Sequence, residues 1–502
     1  MPCEVFSPLL LLLLFVSVFG ASRACLQDAA SAYRFTGAVC RLTHPAAVVL
    51  NDKTTKVIEA AFQNARYPSL KREKSLLFIG RVKYGLENLE IHNLSIGQSE
   101  FELHPGEGIS MEIKNVSAVF RGTIQYGYGS WLVNVGHSVD FEIDSQLDLG
   151  INPKLYCGEG KVAADTSDCY LNFHKLLLHL QGDKEPNWLK KLFTDFITFT
   201  VKMVIKGQIC IEINKVANIL ADFIQDTAGQ FLSDGAISMD IGVTAAPVIT
   251  ANYIESYHKA LTNYNNISAV INDSLFHPNQ LTENRMLYFW LSDQVCNPLL
   301  SAAHQDGRFT LNISGAELTE LFKTNLSSAV PEFIRTCLLE SGSPELRVWS
   351  SSVPFLNTST SGTTIWAEAS GQLSCGMQGT PTLFFQTNVV MDVTASYADK
   401  RLFLKGNASE VVIVRAELLL QNEQLLTEAH LEFVREAVEK IGIPKVLSVL
   451  EVELTRLLDK QGTNLFDIFN PEVLPRDGFV VIQTDFGFPH HLLVEFLKKT
   501  LQ

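Results

Sequence analysis

The sequence predicts an α+β fold of two similar lobes, and three observations carry that prediction. Strict alternation of apolar and polar residues dominates the first third of the chain. Long helical stretches interrupt it. Strands, a long kinked helix and further strands then recur in each half, as a repeat of pattern without identity of sequence.

Taken in order, Leu9 to Phe19 is an apolar run too short to span a bilayer, and Ser22-Arg23-Ala24 follows it as a small-x-small cleavage site. Residues 1–24 therefore read as a signal peptide cut before Cys25, despite Glu4 and the absence of lysine or arginine ahead of the apolar run. No later run is long and charge-free enough to cross a membrane, so a secreted, extracellular chain is expected.

A helix is expected from Asn51 or Thr54 through Arg66, stopped before Pro68. Val139, Phe141, Ile143, Leu147 and Leu149 share one face of a strand, and Asp140, Glu142, Asp144, Gln146 and Asp148 the other. Carboxylates two apart on a strand lie roughly 6.6–7 Å apart, too far for adjacent metal ligands. That row reads as a solvated face. Similar strands are expected at 76–86, 111–120 and 171–180. From Trp188 to about Gln225 the pattern is helical, broken near Gly207 and Cys210. Phe193, Phe196, Ile197, Phe199, Met203 and Val204 nearly surround that helix, so burial on several sides is expected.

The stretch 263–284, rich in Asn, Ser and Pro, reads as a linker between an N-terminal unit, 25–262, and a C-terminal one, 285–488. Strands follow at 286–290, 309–313, 383–395, 402–404 and 411–420. Helices are expected at 423–440 and 445–459, kinked by Gly442 and Pro444. Between them 341–382 reads as a Ser/Thr/Gly-rich insert with strand fragments. Finally Asp477-Gly478 turns the chain, 479–484 reads as a strand, and Pro489 opens a short helix. Leu492, Leu493, Phe496 and Leu497 fall on one face of that helix, and His491, Glu495, Lys498 and Lys499 on the other. Helix pattern alone fits a core cap as well as a lid.

Composition narrows the function. A hydrophobic content of 46% is high for a soluble protein, which fits a large core or an interior that holds something greasy. The net charge of −14 argues against nucleic acid as a partner, and weakly against anionic lipid surfaces. Cys25, Cys40, Cys157, Cys169, Cys210, Cys296, Cys337 and Cys375 include no CxxC pair, so a zinc site is not expected. One or more disulfides are expected, and spacing does not choose among the pairings. Asn93, Asn115, Asn266, Asn272, Asn312, Asn325, Asn357 and Asn407 each head an N-x-S/T sequon.

Catalytic signatures are missing. The sequence has no G-x-S-x-G elbow, H-E-x-x-H helix, P-loop or dinucleotide fingerprint. Ser256 and His258, beside Glu255, look locally like a Ser/His/acid cluster. On a strand Ser256 and His258 share a face while Glu255 points away, so no triad assembles. They read as a structural pair, or as polar orienters in an apolar pocket.

Several runs carry a family resemblance: Val82-Lys-Tyr-Gly-Leu86, Asp140-Phe-Glu-Ile-Asp144, Asp168-Cys-Tyr170, Phe173-His-Lys-Leu-Leu-Leu-His-Leu-Gln-Gly182, Lys206-Gly-Gln-Ile-Cys210, Arg285-Met-Leu-Tyr-Phe-Trp290 and Asp485-Phe-Gly-Phe-Pro489. Through them nearly all the mature chain resembles the lipid-transfer and lipopolysaccharide-binding family that includes bactericidal/permeability-increasing protein. It departs most at 341–382 and in the linker.

The resemblance implies an elongated boomerang of two barrel lobes, each with a long helix, joined by a central antiparallel sheet. A tunnel would hold cholesteryl ester and triglyceride, with phospholipid at its openings. The terminal amphipathic helix, 489–502, would be a lid. By position Ser256 and His258 match polar tunnel residues near neutral lipid, and Gln225 one at a phospholipid headgroup. Where the family has an arginine near that last site, this chain has Thr227. A disulfide maps onto Cys169 and Cys210. The implied function is exchange of neutral lipid between lipoprotein particles by a plasma monomer, with no cofactor and no bond made or broken. An innate-immune lipopolysaccharide binder of the same fold and a secreted lipid hydrolase are the alternatives.

Overall fold

The structure, a computed structural model, describes residues 25–26, 29–62, 69–76, 80–130, 133–181, 233, 235–322, 326, 328–339, 344–375, 380–398, 401–419, 426–458 and 467–487, with scattered positions between 198 and 218. The expected signal peptide, Gln225 and the terminal helix with Leu492, Leu493, Phe496 and Leu497 lie outside the described residues. No described helix is long and apolar enough to cross a membrane.

In chain order, α1 (Ala29–Tyr33) leads into β1 (Ala38–Thr43) and α2 (His44–Phe62). The sequence places the start of α2 at Asn51 or Thr54. It begins at His44 because Pro45 sits in the first turn, where its missing N–H has no partner to lose. The first lobe is a sheet of β2 (Leu70–Leu76), β3 (Gly80–Ser95), β4 (Gln98–His104), β5 (Gly108–Ser130) and β6 (Val133–Ile151). The β7–β8 hairpin (Lys154–Gly158, Lys161–Asp165) follows, and β9 (Cys169–Leu180) completes the sheet. Strand order is β2-β3-β5-β6-β9, with β4 paired to β5. The strand expected at 76–86 is thus corrected: Leu76 ends β2, and β3 begins at Gly80.

The alternation in β6 does what its pattern requires. Phe141, Ile143, Leu147 and Leu149 are buried in the lobe core with Phe120, Ile113 and Leu86. The acidic row faces outward and is paired with basic neighbours: Glu142 with Arg121 at 2.6 Å, Asp144 with His179 at 3.3 Å, and Asp148 with His174. Described positions between 198 and 218 are helical, Gly207 and Cys210 among them, so the expected break is not present there. Phe199 is 61% exposed and Met203 41%, which corrects the expected burial of these two side chains.

Next come β10 (Ile237–Asp240), β11 (Val248–Ile249), β12 (Tyr253–His258), β13 (Leu261–Tyr264), β14 (Ile267–Ser268) and β15 (Leu287–Ser292). The stretch 263–284, read from sequence as a linker, packs. Ile271, Phe276 and Leu281 are buried, and Phe276 meets the Trp290 ring edge-on at 5.2 Å.

The second lobe contains α3 (Asp293–Gln305), β16 (Thr310–Ser314), α4 (Gly315–Phe322), α5 (Glu332–Leu339), β17 (Glu345–Ser350), β18 (Phe355–Ser359), β19 (Gly362–Cys375), β20 (Thr380–Ala398) and β21 (Arg401–Leu418). It is completed by α6 (Glu428–Ala437) and α7 (Ile443–Leu458). The region 341–382 is therefore no insert: it supplies β17, β18, β19 and the start of β20 in the lobe sheet. The strands expected at 402–404 and 411–420 are one strand, β21, pairing with β20 through two register shifts. α6 starts later than the expected residue 423, at a Thr427 cap. The expected kink takes the form of a π-helical turn, Val438–Gly442, just before Pro444, whose ring cannot sit under a regular helical turn.

Both lobe sheets are open among the described residues, with β2 and β9 as edges of the first and β21 as an edge of the second. The expected barrels are corrected accordingly. The α+β class holds, each sheet being backed by helices: Ile443 and Leu447 of α7 pack on Val389, Met391 and Val393 of β20.

The central sheet joins distant parts of the chain. β22 (Asp467–Arg476) and β23 (Phe479–Gly487) complete the order β11-β12-β1-β15-β23-β22. Gly478 turns β22 into β23 at φ 82°, a conformation that favours glycine. Disulfides link Cys25 to Cys157, Cys169 to Cys210 and Cys337 to Cys375, leaving Cys40 and Cys296 as free thiols among the described residues.

Candidate functional site

The central sheet has two unlike faces. On one, Val39, Tyr257, Tyr288, Trp290, Phe479 and Val481 are buried beneath Phe276 and Leu281. The other is set by strand register. Ser256 of β12 lies opposite Cys40 of β1, Cys40 opposite Phe289 of β15, and Phe289 opposite Ile482 of β23. The next row runs His258, Ala38, Leu291, Val480. Side chains directly opposite in such rows lie about 4.5–5.5 Å apart at Cβ, so the two rows form one continuous surface.

This face is covered at its ends and open at its centre. At one end Leu287 packs with Ala46 of α2 and Phe486 of β23. At the other, Ala38 and Leu291 meet Ile271 and Val295. Between them Phe289 remains 42% exposed. Covering a large apolar side chain of that kind is worth roughly 1.5–3 kcal/mol when complete.

The face is also uncharged. Burial, with the Glu255 carboxylate nearby, pushes the Cys40 thiol up to about 12, so it stays protonated. Burial holds His258 below its ordinary value, against a smaller upward pull from the Ile241 carbonyl. The sheet's buried charges sit on the opposite face, where Arg41 meets Glu255 at 2.6 Å.

Ser256 Oγ and His258 Nε2 are 2.9 Å apart, and His258 Nδ1 is 2.9 Å from the Ile241 carbonyl oxygen. Glu255 lies on the other face, hydrogen-bonded to Tyr257 and Arg41, so the Ser/His pair has no acid behind it. No group of three or more His, Cys, Asp or Glu placed to hold a metal occurs among the described residues.

Of the other residues singled out from sequence, Cys169 and Cys210 are bonded, tying β9 to the helical positions beyond it. Asn93, Asn115, Asn266, Asn272, Asn312, Asn357 and Asn407 are exposed, and Asn325 lies outside the described residues. Sequence reasoning missed Cys40, Phe289, Leu291, Val480 and Ile482. Their convergence depends on pairing between strands far apart in the chain; the alternation of each short strand is the only signal that points to it.

The profile of the LBP / BPI / CETP family, N-terminal domain, matches residues 49–225. Cholesteryl ester transfer protein of Gallus gallus is 42% identical over 478 residues, covering 93% of this chain and 94% of that one. The Homo sapiens protein of the same name is 42% identical over 490 residues, covering 96% and 98%. Among solved structures, lipopolysaccharide binding protein aligns over 90% of this chain and 99% of its own, with TM-score 0.47 and 16% identity.

Proposed function

The chain belongs to the LBP / BPI / CETP family, and on that premise we propose that it is a secreted neutral-lipid transfer protein. It carries cholesteryl ester and triglyceride, with phospholipid, between lipoprotein particles along an apolar path. The observation that carries this proposal is identity of 42% spread over 93% or more of the chain to proteins named for cholesteryl ester transfer. Such breadth favours the transfer function over a lipopolysaccharide binder.

The geometry supports it physically. Esters of this size are almost insoluble in water, so moving them requires a shielded apolar surface and no bond chemistry. An uncharged face, covered at both ends and open at Phe289, suits such cargo. In this proposal Ser256 and His258 are polar orienters on the path, Gln225 meets a phospholipid headgroup, and the terminal amphipathic helix closes the mouth. The protein acts as a monomer in plasma, without cofactor or catalysis.

The test is transfer of labelled cholesteryl ester and triglyceride from donor to acceptor lipoproteins by purified protein, with free fatty acid followed in parallel. Wild type should transfer both and release none. Phe289→Asp, which sets a charge on the apolar path, should fold and lose most transfer. Endotoxin binding that salt abolishes, with no neutral-lipid transfer, would overturn the proposal. So would fatty acid release that Ser256→Ala abolishes.

A further inference from the structure

The Ser256–His258 pair has a definite hydrogen-bonding polarity. A carbonyl oxygen only accepts, so the 2.9 Å contact between His258 Nδ1 and Ile241 puts the ring hydrogen on Nδ1. Burial keeps the ring neutral, which leaves Nε2 as a bare acceptor. At 2.9 Å from it, Ser256 must spend its single hydroxyl hydrogen on Nε2. Only lone pairs then remain on Ser256 Oγ, and among the described residues its hydroxyl makes no other hydrogen bond.

Among the described residues of the strand row through Ser256, none adds a strong donor. Across the sheet from Ser256 stand Cys40, a weak thiol donor held protonated, then Phe289 and Ile482. Among the described residues of these two rows, whatever lies on this face meets an apolar surface with one side-chain oxygen, that of Ser256, which accepts.

We propose that Ser256, held by His258, is an acceptor-only spot that seats the hydroxyl group of an unesterified neutral lipid, such as a free sterol, on the open face of the central sheet. This rests on the lipid-carrier function proposed above and names a second class of cargo for the same face. Ester carbonyl and ether oxygens only accept, so an esterified lipid passes the spot without a hydrogen bond. A free hydroxyl donates to it. Pairing an acceptor that the lipid itself covers, and that would otherwise go unmet, is what discriminates the two. The pair thereby orients and retains a lipid with a free hydroxyl on the path, and lets an ester move along it.

The probe is cholesterol against its 3-methyl ether, which lacks the donor hydrogen. Each is offered to the full-length protein from phosphatidylcholine vesicles, and the amount retained is measured. Dividing the wild-type alcohol-to-ether ratio by that of Ser256→Val cancels the difference in partitioning, because valine fills the hydroxyl's space and covers Nε2 with a methyl. The quotient should be about fivefold, the effect of one hydrogen bond. A second measurement needs no folded variant at Ser256: the nitrogen-15 resonances of His258, assigned with His258→Gln, should show Nε2 without a proton. Equal ratios in wild type and Ser256→Val, or a proton on Nε2 at neutral pH, overturn the proposal. Cholesteryl ester transfer is run on the same preparation. If it is present while the ratios are equal, only the acceptor spot falls. If it is absent, the carrier function falls and this proposal with it.

Discussion

Arg41 and Glu255 face each other across β1 and β12, Nε to Oε2 at 2.6 Å, with side chains only 2% and 1% exposed. The pair lies on the closed face of the central sheet, directly behind the open one. The other guanidinium nitrogens donate to the carbonyls of Leu281 and Pro278, at 2.9 and 2.8 Å. One arginine therefore pins the 263–284 segment onto the sheet. A fully desolvated ion pair contributes little net stability, but losing one partner strands a buried charge. Arg41→Met should destabilise by about 3–5 kcal/mol in equilibrium denaturant unfolding, and Arg41→Met with Glu255→Leu should lose clearly less. A single-variant loss under about 1 kcal/mol, typical of an exposed pair, would show that the charge is not stranded.

Legibility followed burial. β6 alternates cleanly because one of its faces is fully buried, so Phe141 through Leu149 could be placed from sequence alone. β19 could not. Ser370 and Gly371 are consecutive and both buried, which breaks the alternation, and its polar content reads as loop. β21 reads as two strands because Gly406 to Glu410 interrupts its apolar run, although the pairing with β20 continues through it. At the site, a shared strand face was enough to put Ser256 beside His258. Cys40 and Phe289 join them only through pairings from β12 to β1 and from β1 to β15, which no local pattern encodes.

Gly371 offers a sharp test of the second lobe. A Cβ built there would lie 2.2 Å from Cζ of Phe385, which sits directly opposite on β20. The ring occupies the space that every other residue type fills. Gly371→Ala should cost roughly 1–3 kcal/mol by overpacking, read as a lowered denaturant midpoint. Adding Phe385→Leu should recover part of that loss, since it removes the atoms that clash. Independent, additive losses in the double variant would mean the strand moves instead of the ring.

Deleting 490–502 should separate a lid from a core cap. β23 ends at Gly487, next to the covered end of the apolar face where Phe486 packs on Ala46 and Leu287. The sequence that follows places Leu492, Leu493, Phe496 and Leu497 on one helical face, enough to seal an apolar mouth or to enter a lipid surface. A core cap would take several kcal/mol of stability with it. A lid should leave the unfolding midpoint nearly unchanged while most cholesteryl ester transfer is lost, and Leu493→Asp should reproduce the effect. Full transfer by the truncated chain, or failure to secrete it, would end the lid assignment.

The ring of His258 should also leave a signature in stability against pH. Burial lowers its pKa in the folded chain, while in the unfolded chain it titrates near 6.5. Between those two values the unfolded chain binds more protons than the folded one, so stability rises with pH across that window. The contribution is complete above about pH 6.5 and is lost as pH falls through the folded value. The charged groups near this strand, Glu255 with Arg41 on the far face and Asp240 with Lys259 at its end, are present in any single variant at position 258. They cancel when wild type is compared with His258→Gln, whose amide can still donate to Ile241 and accept from Ser256. Denaturant midpoints measured from about pH 7 down to pH 5 should fall more steeply for wild type, with one proton as the upper bound on the difference in slope. Parallel slopes would mean that the imidazole takes up its proton as readily in the folded sheet as in water, so that Nε2 would give up its hold on Ser256 as pH falls below about 6.5.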